Sequence, residues 1–365
     1  MRTIPPYRAD MVGSLLRTAR LKAARADKAA GAITADHLRG IEDEEIIALI
    51  GRQEAIGLQA VTDGEFRRSW WHYDFFQHLV GVEMRPIDQG IQFAGVQARA
   101  EAPHVVGKID FAHHPFVDHF RFVKAHTTRM PKFTIPSPSM LHYRGGRKQI
   151  DATIYPDMDA FYADLAAAYR KGIQALYDAG CRYLQLDDVS FAYLCDPAQR
   201  RMLTERGDDP ARQPQIYADM INAAIADRPA DLTITMHLCR GNFRSTFVAS
   251  GGYEPVADLL FNGIASDGYF MEWDTDRAGG FEPLRFLPKR KTVVLGLVTS
   301  KSGTLEDRKA VVARIEDAAR YAPLDQLCLS PQCGFASTEE GNTLAEDEQW
   351  AKLRLIEDIA HDVWR

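Results

Sequence analysis

The chain has 365 residues, enough for one large domain or two ordinary ones, and a formal net charge of −6. That charge excludes a general nucleic-acid binder, because no cationic excess is left to neutralise phosphates. Hydrophobic residues make up 46% and charged residues 26% of a chain with no apolar run near the roughly 18 residues of a membrane span, so a globular domain is expected rather than a membrane protein.

Short apolar runs alternate with longer amphipathic stretches. In chain order the expected strands are Asp10–Gly13, Leu58–Thr62, Lys132–Ile135, Arg182–Leu186, Leu232–Met236, Gly268–Met271, Thr292–Val298 and Gln326–Leu329. Helices are expected at Ala35–Ile56, Met158–Ala179, Gln213–Ala226, Leu305–Tyr321 and Glu346–Val363. Gly57 and Gly180 stand just past two of them, where a left-handed residue ends a helix. Strands alternating with helices in this way predict an α/β fold, a (β/α)8 TIM barrel formed by residues 1–365 as one domain. A doubly wound open sheet is the structural alternative, weakened by the lack of Gly-x-Gly-x-x-Gly after the first strand. Residues 80–130 break the rhythm. Rich in His and aromatics, with alternation at Phe120-Arg121-Phe122-Val123, they read as a β-rich arm inserted after strand 2, over the barrel mouth.

Five cysteines is an odd, low number, so reduced thiols are expected rather than a disulfide framework. The opening Met1-Arg2-Thr3-Ile4-Pro5-Pro6 lacks the apolar core of a signal peptide, which makes the cytoplasm the expected compartment. Cys181, Cys328 and Cys195 sit in or beside apolar runs and read as core. Cys239 and Cys333 stand in polar, Gly-rich surroundings.

In a barrel the residues just past the strands gather on one face. His237 and Cys239 follow the fifth strand, Glu272 the sixth and Cys333 the eighth. Residues two apart in extended chain point the same way, so His237 and Cys239 can face one ion. Zinc accepts imidazole, thiolate and carboxylate ligands, and the expected set is His237, Cys239, Glu272 and Cys333. Two thiolates and a carboxylate would leave such a site electron-rich, better suited to holding a nucleophilic substrate thiolate than to hydrolysis. A lone His-x-Cys is weak evidence of a metal; the added ligands at equivalent strand ends strengthen it.

With these motifs in place, the chain from Val12-Gly13-Ser14 to Pro331-Gln332-Cys333-Gly334 resembles the catalytic half of cobalamin-independent methionine synthase. The resemblance implies methyl transfer to homocysteine on Zn2+. It also implies that Gly13 and Ser14 hold the substrate carboxylate, and that Glu65 and Asp187 hold its ammonium. The bland alternative for those two carboxylates is pairing with Arg67, Arg68 or Arg182. Where the family carries a catalytic His after strand 7, this chain has Lys301, a better fixed cation than proton relay. The full-length enzyme's N-terminal barrel has no counterpart here, so either a folate or a corrinoid protein is the expected methyl donor. Arg240 and Arg244, close behind Cys239, form a basic run able to receive a sulfonate. That run supports the alternative of another zinc-thiolate alkyltransferase, such as one resembling epoxyalkane:coenzyme M transferase. The expected partners are small molecules; a homo-oligomer is compatible with the sequence.

Overall fold

The computed structural model describes residues 2–365. Helix boundaries follow their capping residues. Helix Ala35–Ile56 starts where the Thr34 hydroxyl accepts the His37 N–H and stops at Gly57, whose φ of 110° no β-carbon-bearing residue adopts cheaply. Helix Met158–Asp178 is capped by Asp157 and released near Gly180, at φ 104°. Helices Gln213–Ile225 and Glu346–Val363 lie where the periodicity puts them. The helix expected at Leu305–Tyr321 is shorter, Arg308–Ala318, because the Asp307 carboxylate accepts the Ala310 N–H and sets its first turn there.

Among the described residues eleven strands form: β1 (Ala60–Val61), β2 (Val80–Pro86), β3 (Gln92–Phe93), β4 (Val96–Gln97), β5 (Glu101–Asp110), β6 (Met130–Pro136), β7 (Tyr183–Asp188), β8 (Thr233–Leu238), β9 (Gly268–Glu272), β10 (Thr292–Val298) and β11 (Leu327–Pro331). Seven of them make one parallel sheet in the order β1-β6-β7-β8-β9-β10-β11. Helices cover its outer side, and no described helix is long and apolar enough to cross a membrane.

The expected first strand, Asp10–Gly13, is not one. Only Ala9 bridges in parallel to Leu329 of β11. Beyond it, side chains replace a ladder. Lys132 donates to the Met11 carbonyl, Gln185 Nε2 to that of Val12 at 2.7 Å, and Thr62 Oγ1 to that of Gly13 at 2.6 Å. Leu15 N–H then reaches the Gly64 carbonyl beyond β1. The sheet therefore curls until this extended segment lies between its two outermost strands. β1 stops early because the Gln53 side chain takes both backbone groups of Thr62.

Within residues 80–130, β2 and β5 pair antiparallel and β3–β4 form a small hairpin between them. The Phe120-Arg121-Phe122-Val123 alternation is not strand but part of helix Pro115–Ala125. His114 caps the Phe116 N–H, Pro115 opens the first turn, and Phe116, Phe120 and Val123 are buried at helical spacing.

Burial of one charged group outside the site gives a pH-dependent stability. Glu357, packed against Gly57, has its carboxyl pushed up to about 7 by burial and by Asp358, against a smaller pull from Arg129. The fold thus favours the protonated acid, and stability falls as pH rises from the ordinary carboxyl range through about 7. Glu357→Gln is expected to raise stability at pH 8 by on the order of 1 kcal/mol, after allowance for solvent screening, and to change little at pH 4. Thermal unfolding at the two pH values checks this; an equal shift at both would contradict it.

Candidate active site

The strands run one or two residues further than their apolar runs, so Asp187 lies in β7, His237 in β8 and Glu272 at the end of β9. Asp187 pairs in register with His237 across the sheet. Cys333 follows β11 by two residues. His237 Nδ1 or Nε2, Cys239 Sγ and Cys333 Sγ all lie within 4.8 Å of one another, and all three residues are buried. Asn242 draws the two cysteine loops together: its Nδ2 donates to the Gly334 carbonyl at 2.7 Å and to Ser337 Oγ at 3.1 Å.

The neighbouring Cys333 thiol, helped by His237, outweighs burial and holds the Cys239 thiol well below the usual cysteine range. The same contact, with burial, pushes Cys333 up. Burial pulls the His237 imidazole down, but Cys239, Asp187 and Glu272 together outweigh it and raise it. Both His237 ring nitrogens are buried without a hydrogen-bond partner. Two soft sulfurs and an orphaned imidazole within 4.8 Å of one another are a donor set that suits zinc.

Glu272 does not join this cluster. One of its carboxylate oxygens accepts the Arg240 backbone N–H at 2.7 Å and the other is held by the Arg277 guanidinium. Burial would raise its carboxyl, but Lys301, Arg240 and Arg277 outweigh that and lower it, so Glu272 is an ionised group already paired. Lys301 stands behind it. Its Nζ is buried without a hydrogen-bond partner, in the field of Glu272, Asp274 and Cys333, and it does not line the pocket.

The basic run after Cys239 does not serve the pocket either. Arg240 is fully buried and turned outward from the strand, with Nε donating to the Gly251 carbonyl at 2.8 Å and NH1 to that of Glu272 at 3.2 Å. Arg244 is exposed and lines no part of the cavity. The alternation that aims His237 and Cys239 at one point sends Arg240 the other way.

The lining of the pocket over the cluster includes Ser14, Glu65 and Asp187. Glu65 sits at φ 59°, a costly conformation for a residue with a β-carbon, and this turns its carboxylate inward. Its Oε1 accepts from Thr134 Oγ1 at 2.9 Å and lies 3.4 Å from Arg68, while Oε2 is buried with no partner. Arg67 pairs instead with Glu42 and Asp43, and Arg182 with Asp231. Burial, only partly offset by Arg68 and Arg17, pushes the Glu65 carboxyl up. Asp187, hydrogen-bonded by Gln185 at 2.7 Å, is raised to about 7, mainly by burial, with His237 opposing and Glu65 adding to it. Gly13 and Gly334 are spatial necessities. A β-carbon on Gly13 would meet Thr134 Cγ2 at 2.7 Å, and one on Gly334 would meet Ser14 Oγ at 1.9 Å.

The rest of the lining was not anticipated. It carries Trp70, Trp71, Phe93, Tyr193 and Arg144. Trp70 stacks on Tyr73 and Phe243, and Phe93, from the β3–β4 hairpin, packs on Phe243. The signal available in the sequence was the aromatic run Trp70-Trp71-His72-Tyr73, close behind Glu65.

The family model described as "Cobalamin-independent synthase, Catalytic domain" matches residues 8–361. An uncharacterised Bacillus subtilis protein, YxjH, is 54% identical over 362 residues, covering 99% of this chain and 95% of its own. A solved structure from Listeria monocytogenes, described as a candidate vitamin-B12-independent methionine synthase, is 42% identical with a TM-score of 0.81 and full coverage of both chains. A B12-independent methionine synthase from Shewanella sp. W3-18-1, solved with selenomethionine, shares the fold at 18% identity and a TM-score of 0.71, covering 98% of this chain and 97% of its own. The chain belongs to the cobalamin-independent synthase catalytic-domain family.

Proposed function

We propose that this protein is a zinc-dependent methyltransferase that places a methyl group on the thiol of homocysteine, forming methionine. The observation that carries the reading is the meeting, in one pocket, of a His237–Cys239–Cys333 cluster with the inward carboxylates of Glu65 and Asp187. The Shewanella relative's name and its selenomethionine ligand support the same class of substrate.

His237, Cys239 and Cys333 would hold the ion, and Glu272 would reach it as a fourth ligand only by releasing Arg277. A bound zinc supplies a substrate thiol held as thiolate at neutral pH, kept electron-rich by two cysteine ligands. Glu65 and Asp187 take the substrate ammonium, and Ser14 with the Gly13 backbone takes the carboxylate end. Lys301 acts as a fixed cation balancing Glu272 and Asp274. The methyl group passes from donor to sulfur, and the thiol proton leaves to solvent. Since Lys301 does not line the pocket, it offers no acid to a departing folate amine, and a methylcorrinoid, whose leaving group needs no proton, is the favoured donor. The arm of β2–β5 closes the mouth beside Phe93, the eighth barrel position is filled by the extended segment at residues 9–13, and the enzyme works in the cytoplasm.

Metal-loaded protein would be offered homocysteine and other thiols, each with methyltetrahydrofolate or methylcobalamin, and the alkylated thiol identified. Methionine should form, faster with methylcobalamin. Alkylation of another thiol in place of homocysteine would reject the reading, and fast turnover with free methyltetrahydrofolate would reject the donor assignment.

A further inference from the structure

Most of the arginines packed about the pocket are already spent. Arg17 donates to the Leu15, Ala336, Glu65 and Arg68 carbonyls, and Arg68 to that of Thr134 beside its ion pair with Glu65. Arg240 holds backbone carbonyls, and Arg277 holds Glu272. Arg144 is different. It leaves β6 through the short helix Ser139–Gly145 and lines the pocket. Its Nε donates to His72 Nε2 at 3.0 Å, and among the described residues it has no carboxylate partner.

The surroundings hold it in place without answering its charge. His72 is fully buried, and burial, with Arg144 itself, keeps its imidazole well below the usual histidine range, so it is a neutral acceptor. The guanidinium carbon lies 6.0 Å from the ring centres of both Trp71 and Tyr193. Anchoring Nε fixes the plane of the fork and leaves its two terminal nitrogens for a guest. No carboxylate of the same pocket is paired with Arg144: Ser139 and Ser190 hold Asp188, Thr134 and Arg68 meet one oxygen of Glu65, and Gln185 meets one of Asp187. A half-buried guanidinium with a preset plane and no counterion suits a planar, two-oxygen anion.

We propose that Arg144 is a carboxylate receptor of this pocket, a specificity-determining residue that acts in addition to the Ser14 and Gly13 donors and in the same cavity as the ammonium-binding pair Glu65 and Asp187. The inference rests on the reading that the pocket takes an amino-acid thiol and a methyl donor. The carboxylate is that of the thiol substrate or, where a folate binds in place of the favoured methylcorrinoid, that of its glutamate, and the chemistry is the same.

The test is calorimetry on metal-loaded wild type, Arg144→Gln and Arg144→Lys, with two ligand pairs. One pair is homocysteine and 3-mercaptopropylamine, which lacks the carboxylate. The other is methyltetrahydrofolate and a methyltetrahydropterin without the glutamate. Arg144→Gln should weaken the carboxylate-bearing member of one pair by about 10- to 100-fold and leave its partner within about twofold. Loss in the first pair assigns the thiol's carboxylate, and loss in the second the donor's. Arg144→Lys, which keeps the charge but not the fork, should fall between and covers the case in which the glutamine variant does not fold. A wild type indifferent to the carboxylate in both pairs, or a variant that weakens both members equally, overturns the inference. A carboxylate-selective loss in a protein that forms no methionine would leave the inference standing and reject the proposed function.

Discussion

Cys239→Ser and Cys333→Ser are each expected to leave dialysis against a chelator without zinc, under conditions where the wild type keeps about one ion per chain. Replacing a group that merely orients a ligand costs about 10- to 100-fold in metal affinity, and removing a ligand sulfur should cost more. A serine hydroxyl stays protonated at neutral pH and cannot stand in. Cys328→Ser serves as the control, since that thiol is buried in a separate apolar cluster near the Pro6 carbonyl. Glu272→Gln divides two views of the site. A carboxylate that were a full ligand would take the metal with it when neutralised. A carboxylate already holding the Arg240 N–H and Arg277 leaves two sulfurs and a nitrogen in place, so this variant should keep most of its zinc. Elemental analysis reads the four variants beside the wild type. Full zinc in both cysteine variants would remove the metal assignment, and complete loss in Glu272→Gln would show that Arg277 lets go. The fold itself should survive in every case, because the core of a chain this size does not depend on the ion.

What the sequence made legible was mainly local. Gly57 and Gly180 announce the ends of two helices within a residue or two, and the strand period aims His237 and Cys239 at one point. Arg240 was legible by the same period, which turns it away, but its charge beside Cys239 was the more conspicuous feature. The misreadings came from partners far off in the chain. Met11, Val12 and Gly13 look like a strand, yet their carbonyls are taken by Lys132, Gln185 and Thr62. Phe120–Val123 alternates like a strand, but His114 and Pro115 upstream had already fixed a helix. The pairing of Glu272 with Arg277, and the lack of a carboxylate partner for Arg144 among the described residues, depend on which loops meet at the mouth, and no spacing in the sequence encodes that.

The second large effect is expected at the carboxylates. Glu65→Gln and Asp187→Asn should each raise the KM for homocysteine by about 10- to 100-fold, the worth of one charge-assisted hydrogen bond. The cost should vanish for a thiol that has no ammonium, such as 3-mercaptopropionate, which meets no charge at these positions. The two variants should differ in the empty protein. The Glu65 carboxylate is paired with Arg68 and Thr134, so Glu65→Gln strands a buried guanidinium and should also lower thermal stability. Asp187 has only Gln185 as a hydrogen-bond partner and sits beside Glu65 and the metal cluster, where burial already works against its charge. Asp187→Asn relieves that burial cost and should leave stability unchanged or slightly raised while still weakening the substrate. Steady-state kinetics with both thiols, beside melting curves of the unliganded proteins, separate the outcomes. An equal KM rise for both thiols would mean that the carboxylates shape the pocket rather than bind an ammonium. A stability loss in Asp187→Asn as large as in Glu65→Gln would mean that Asp187 is held by the fold, and that the pocket's free anion lies elsewhere.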